Sequence, residues 1–304
     1  MLRLLNGYSI TTSKLFIFFI FYYQKIEVKT SKSGTRYFIN WFWYIENDII
    51  FLRVICMKIE YYKEYSHNLG RFMEFKVFGH AGKPCLAFPS QNDRFYFYED
   101  QGMINSIEQY INDGKIQVFC IDTFDYESWS ATWKCSHDRI RAQEAYFKYV
   151  IEEIVPRIYE INNNPLNGQI LAFGCSIGAY QAVNFYLRRP DIFNSVLALS
   201  GIYHTGFFIN DYSDELTFLN SPIDSLKFMD INHPYIDLYK KGRIIICVGQ
   251  GAYENDCVNE TKNLEIEMKR LNIPAWFDYW GSEYIHDWPS WRIQFPHFIG
   301  YFLQ

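Results

Sequence analysis

Gly174-Cys175-Ser176-Ile177-Gly178 sets a serine between two glycines, where an apolar run over 169–173 gives way to an amphipathic run over 179–188. This is the sequence form of a strand-to-helix elbow, a tight turn that lifts a serine hydroxyl clear of the backbone. The apex residue is held at strained backbone angles. Side chains two residues before and after it would meet neighbouring backbone, so Gly174 and Gly178 relieve the crowding. The first N–H groups of the following helix are unpaired and partly positive, so an oxyanion forming beside Ser176 would be stabilised there. Arg188 and Arg189, just before Pro190, place cations at the opposite end of the dipole. The chemistry implied is nucleophilic attack by an activated hydroxyl.

A hydroxyl nucleophile needs a base to take its proton and an acid to fix the base's tautomer. On strand-to-helix elbows of this kind the three arrive in the order serine, acid, histidine, from loops after successive strands. His67, His80 and His137 precede the serine, His204 and His233 precede the acidic loop, and His297 falls inside the last predicted helix. That leaves His286, in the loop after the last predicted strand, as the base. Glu254 and Asp256 both follow the strand ending at Val248; Glu254 is preferred as the acid, with Asp256 the alternative. Asp224 follows the wrong strand, and Asp287, adjacent to His286, would point elsewhere.

The elements that must carry these residues alternate strand and helix, which gives an α/β fold with a mostly parallel sheet and helices on both faces. Strands are predicted over 72–78, 84–88, 115–121, 169–173, 195–199, 243–248 and 275–279. Helical faces appear at Met103, Ile104, Ile107, Tyr110 and Ile111, and at Ile140, Phe147, Val150, Ile151 and Ile154, where Pro156 should kink or restart the helix. Residues 202–239 read as a loop-rich insertion. Thr261 is expected to cap the helix that runs through Leu271.

The regular pattern opens at Met57. Residues 1–56 yield no assigned element, and the expectation is that 57–304 is one domain preceded by an extension that is disordered or not native. Within that extension Leu15 to Tyr23 is apolar but too short to span a bilayer, and it lacks a basic leader and a small-residue cleavage site. No stable membrane span is expected. A net charge of −5 over 304 residues argues against a basic nucleic-acid face. The seven cysteines are dispersed, with no CxxC pair, and read as reduced thiols in a reducing, cytoplasmic compartment.

Four separated motifs carry a resemblance: Gly174 to Tyr180, Ala198-Leu199-Ser200-Gly201, Gly249-Gln250-Gly251-Ala252-Tyr253-Glu254, and Trp280-Gly281 with His286-Asp287-Trp288. Together, over residues 57–304, they resemble the Putative esterase family of α/β hydrolases, which is similar to S-formylglutathione hydrolases, feruloyl esterases and mycolyltransferases. The resemblance implies a three-layer α/β-hydrolase fold and a serine esterase acting on a small-molecule ester or thioester. It implies Ser176 as nucleophile, His286 as base and the acid in the loop holding Glu254. It also implies that the loop after the second strand donates to the oxyanion. Gln91 is the residue expected to do so, beside the N–H of Ile177.

Water would then deacylate the enzyme, with no metal or organic cofactor. Trp129 and Trp288 are expected at the substrate site together with Trp133 and Trp291. With aromatics at 20 % of residues, core packing accounts for each of these equally well. An acyltransferase using the same acyl-enzyme and a noncatalytic binding protein of the same fold are the other readings.

Overall fold

The computed structural model describes residues 25–29, 36–46, 49–162 and 169–303, with side chains described from Met57 onward. Ten strands, β1 (Lys25–Lys29), β2 (Arg36–Glu46), β3 (Ile49–Ser66), β4 (Arg71–Phe78), β5 (Lys83–Phe88), β6 (Ile116–Ile121), β7 (Ile170–Cys175), β8 (Phe193–Leu199), β9 (Arg243–Val248) and β10 (Trp276–Tyr279), form one sheet in the order β1-β2-β3-β4-β6-β5-β7-β8-β9-β10. Pairing is antiparallel from β1 to β4 and between β4 and β6, and parallel across the other six strands. The stretch before Met57, which offers no clear periodicity, supplies backbone to this sheet: β3 starts at Ile49, and β2 pairs along it from Glu46–Ile49 to Arg36–Ile59. Leu15 to Tyr23 lies outside the described residues, among which no helix is long and apolar enough to cross a membrane.

The parallel strands are apolar on both faces because helices cover both. Leu86, Phe88, Ala172, Val196, Ala198 and Ile246 face one cluster, with Phe185, Val150, Leu264 and Met268 packed over them. Their sequence neighbours Cys85, Ala87, Phe173, Cys175, Leu197, Leu199 and Cys247 face the other, under Ile104, Trp291, Phe295 and Phe298. Period-two alternation thus divides each strand between two cores, which makes three layers. The stack of Phe173 on Phe295, with ring centroids 4.0 Å apart, ties the elbow strand to the last long helix. Each such buried phenylalanine contributes about 1.5–3 kcal/mol through loss of contact with water.

The helices of eight or more residues are α1 (Ser136–Tyr149), α2 (Val155–Asn162), α3 (Ile177–Arg188), α4 (Asn255–Arg270) and α5 (Trp288–Ile299). A π-helical turn over Val150–Ile154 separates α1 from α2. Pro156 has no N–H to give to an α ladder, so a wider turn passes the chain across it and the helix restarts at Val155. The capping role expected of Thr261 is not what forms: α4 begins at Asn255, with Glu254 in the N-cap position, and Thr261 is fully buried inside it. Cys257, Thr261, Leu264 and Met268 make the buried stripe, and two of these four are types that a search for strongly apolar periodicity passes over. The 202–239 insertion forms four short helices rather than open loop, Gly206–Ile209, Glu215–Leu219, Pro222–Lys227 and Tyr235–Lys241.

Candidate active site

Ser176 leaves β7 with φ 58° and ψ −123°, angles a non-glycine residue adopts only when its surroundings force it. Its N–H donates to the Leu199 carbonyl of the neighbouring strand at 2.9 Å, which anchors the turn. The flanking glycines are steric necessities. A Cβ on Gly174 would lie 2.1 Å from the Gly178 carbonyl carbon, and one on Gly178 would lie 2.4 Å from the Phe88 carbonyl oxygen. Cys175 points into the core, fully buried, and burial pushes its thiol pKa up. Its N–H donates to the Tyr98 hydroxyl at 3.2 Å and its carbonyl accepts from the Ser90 hydroxyl at 3.2 Å.

The loops after β9 and β10 are bonded to each other. The Gly251 N–H donates to the Tyr284 carbonyl at 2.9 Å, and the His286 N–H donates to the Ala252 carbonyl at 3.0 Å. This brings Glu254 and His286 together. His286 Nε2 is 2.9 Å from Ser176 Oγ, and His286 Nδ1 is 3.3 Å from Glu254 Oε2. The Glu254 carboxylate is buried and faces the imidazole, whereas Asp256 is exposed on the first turn of α4. Asp287 turns away and caps α5, accepting the Trp288 N–H at 2.7 Å.

Three further side chains complete this cluster. The Ser200 hydroxyl, at the end of β8, donates to Glu254 Oε1 at 2.5 Å and accepts the Trp291 indole N–H at 3.1 Å. Trp291 also sets its ring edge-on to His286, with centroids 5.2 Å apart. Cys257 Sγ lies 3.6 Å from His286 Nδ1 and donates to the Ser200 carbonyl at 3.3 Å. Burial, with the Glu254 carboxylate beside it, pushes the Cys257 thiol pKa up. Sequence reading names Ser200 only within the Ala198 to Gly201 motif and Cys257 only among the dispersed cysteines, and gives neither a role at the site. The signal for Ser200 was its place at the end of an apolar strand adjacent to the elbow strand.

The loop after β5 runs past Gly178, and its Gln91 side chain donates to the Ser130 hydroxyl at 3.1 Å. The backbone N–H groups of Gln91 and Ile177 have no hydrogen-bond acceptor among the described residues. Trp129, expected to line substrate space, is buried in a cluster with Ile140, Ile177 and Tyr180, its ring edge-on to Tyr180 of the elbow helix. Trp288 is half-buried, edge-on to Tyr98 and Trp291, while Trp133 is exposed.

The family model described as "Putative esterase" matches residues 96–302, which takes in Ser176, Glu254 and His286. The chain belongs to the Putative esterase family. Solved structures agree on the fold at low identity. A ferulic acid esterase is 13 % identical with a TM-score of 0.65, over 81 % of this chain and 98 % of its own. The S-formylglutathione hydrolase FrmB of Staphylococcus aureus is 16 % identical with a TM-score of 0.58, over 82 % and 97 %. MPT51 of Mycobacterium tuberculosis is 13 % identical with a TM-score of 0.57, over 80 % and 98 %. No curated protein matches this family member in sequence. The fold of the esterase-family chain is the α/β-hydrolase fold, with the eight strands from β3 to β10 as its mixed sheet.

Proposed function

We propose that the chain is a serine hydrolase that cleaves a carboxylic ester or thioester of a small molecule through an acyl-enzyme on Ser176. The observation that carries this reading is the 2.9 Å contact between His286 Nε2 and Ser176 Oγ on a strained elbow. Ser176 attacks the carbonyl carbon while His286 takes its proton. Glu254 holds Nδ1 protonated and steadies the imidazolium. The N–H groups of Ile177 and Gln91 receive the tetrahedral oxyanion, and His286 returns the proton to the leaving group. Water, activated by the same imidazole, then releases the acid. Trp288 borders the substrate. Membership of an esterase family supports the reaction class, and the relatives named as ferulic acid esterase and S-formylglutathione hydrolase support ester and thioester substrates. The free cysteines among the described residues favour a reducing, cytoplasmic setting.

A fluorophosphonate probe tests the reading, because it labels only an activated serine. Labelling should map to Ser176 and vanish in both Ser176→Ala and His286→Ala. Turnover of a short activated ester should fall by about 10⁴ to 10⁶ in each, with the double variant little worse than either single one. Labelling that survives Ser176→Ala would sink the proposal. Product analysis with added alcohol separates hydrolysis from acyl transfer.

A further inference from the structure

Cys257 has no part in the acyl-transfer steps, yet its sulfur lies against the same imidazole nitrogen that faces the acid. Glu254, Cys257 and His286 each offer one ligand atom, and the three atoms lie within 4.8 Å of one another. Glu254 and Cys257 stand three residues apart at the start of α4, where that spacing puts side chains on one face. Tetrahedral zinc, with bonds of about 2.0–2.1 Å to nitrogen and about 2.3 Å to sulfur, holds those two ligands about 3.6 Å apart; with a carboxylate oxygen, the nitrogen-to-oxygen edge is about 3.3 Å. The corresponding distances here are 3.6 Å from Cys257 Sγ to His286 Nδ1 and 3.3 Å from Glu254 Oε2 to His286 Nδ1. Two edges of a coordination tetrahedron are therefore already in place, and the third, from Cys257 Sγ to the Glu254 carboxylate, is within 4.8 Å.

We propose that Glu254, Cys257 and His286 form an inhibitory site for one borderline-soft divalent cation of the Zn2+ type, bound at the back of the proposed base. Thiolate, carboxylate and imidazole are the donor set that zinc favours, and the two anions neutralise its charge. The carboxylate is oriented by the Ser200 hydroxyl, itself held by Trp291, the kind of outer partner that fixes metal ligands. Binding sends the Cys257 thiol proton to solvent and uses the Nδ1 lone pair. The imidazole proton then resides on Nε2, facing Ser176, where it blocks acceptance of the serine proton. The cation thus switches off the hydrolase from the Nδ1 side of the imidazole, opposite the nitrogen that faces Ser176. A second trio, Cys135, His137 and Asp138, is wholly exposed, and its histidine already pairs with the adjacent aspartate. It serves as the control.

The inference rests on the esterase reading for its consequence but not for the site, so binding and inhibition are measured separately. Co2+ is titrated into reduced wild-type protein and Ser176→Ala, and a thiolate-to-cobalt charge-transfer band with tetrahedral visible bands is expected in both. The bands should persist in Cys135→Ala and be absent in Cys257→Ala and Cys257→Ser, with circular dichroism verifying that each variant is folded. Zn2+ should suppress ester turnover reversibly, with activity restored by a chelator. Loss of an outer-shell partner alone weakens metal sites by about 10- to 100-fold, so loss of Cys257 should raise the half-inhibiting Zn2+ concentration by at least about 100-fold relative to each variant's own zinc-free rate. Absence of a thiolate band in folded Ser176→Ala, or zinc inhibition unchanged in Cys257→Ala, overturns the site. If the bands appear but wild type hydrolyses no ester and takes no fluorophosphonate, the site stands and the hydrolase reading fails.

Discussion

Trp291 donates its indole N–H to the hydroxyl of Ser200, 3.1 Å away, and so leaves that hydroxyl's own proton to point at Glu254. Ser200 itself sits at φ 56°, matching Ser176 at φ 58° at the end of the adjacent strand. Ser200→Ala should remove the bond to Glu254 Oε1 and lower kcat by about tenfold, or about 1.4 kcal/mol, with KM little changed. Ser200→Gly relaxes the backbone but also lacks the hydroxyl, so it should be no more active than Ser200→Ala. Steady-state kinetics on both variants checks this; recovery in Ser200→Gly would assign the effect to strain instead.

Glu254→Gln should leave the fold intact and reduce turnover by at least about 100-fold, because an amide does not hold the imidazole in the required tautomer. Glu254→Asp shortens a reach that is already 3.3 Å to Nδ1 and should fall less far than the amide. Asp256→Asn, at an exposed position on α4, should change the rate by less than about tenfold. A steep loss at Asp256→Asn beside a nearly normal Glu254→Gln would reverse the assignment.

Gly178→Ala forces a methyl to within 2.4 Å of the Phe88 carbonyl and 2.7 Å of the Pro89 carbonyl, both backbone atoms with little room to yield. Overpacking against rigid backbone costs about 1–3 kcal/mol or more. The displaced segment leads directly to Gln91. Chemical denaturation should record the stability loss, and turnover should drop beyond what the remaining folded fraction explains.

Asp125 gives the pH prediction. Burial raises its pKa from the ordinary aspartate range to about 6, against the pull of the Asn92 N–H, which donates to its carboxylate at 3.2 Å. The folded state therefore holds a proton that the unfolded state gives up near pH 4, so stability from this group is fully present below about pH 4 and is lost as pH rises to about 6. The difference amounts to about 3 kcal/mol at most. Asp125→Asn should remove that decline. Denaturation of both proteins at pH 4.5 and 7.5 should give a gap that moves in the variant's favour with rising pH; parallel curves would refute it.

The elbow could be read from sequence because its logic is local: the glycines, the apolar entry and the amphipathic exit all lie within one short stretch. His286 followed from chain order alone. Sequence prefers Glu254 to Asp256 without excluding the second, since the choice depends on which residue is the last before α4, and the stripe of Cys257 and Thr261 hides where that helix starts. Ser200, Cys257 and Trp291 were out of reach as a group for a different reason. Trp291 meets Ser200 across 91 positions of chain, a pairing that only the packing of α5 against the end of β8 creates. Trp129 reaches the elbow helix only through tertiary packing on Tyr180, a contact between residues far apart in the chain that local sequence pattern does not show.

The sheet order has a consequence for how this site could fail. Ser176, Ser200, Glu254 and His286 follow β7, β8, β9 and β10, four parallel neighbours in unbroken succession. Sliding any one strand by a single residue moves its terminal loop by about 3.3 Å, more than the entire separation of His286 Nε2 from Ser176 Oγ, 2.9 Å. These two atoms therefore act as a vernier on the ladder beneath them, and the rate of the proposed hydrolysis would gauge strand alignment deep in the sheet more finely than any measurement of helix content or melting.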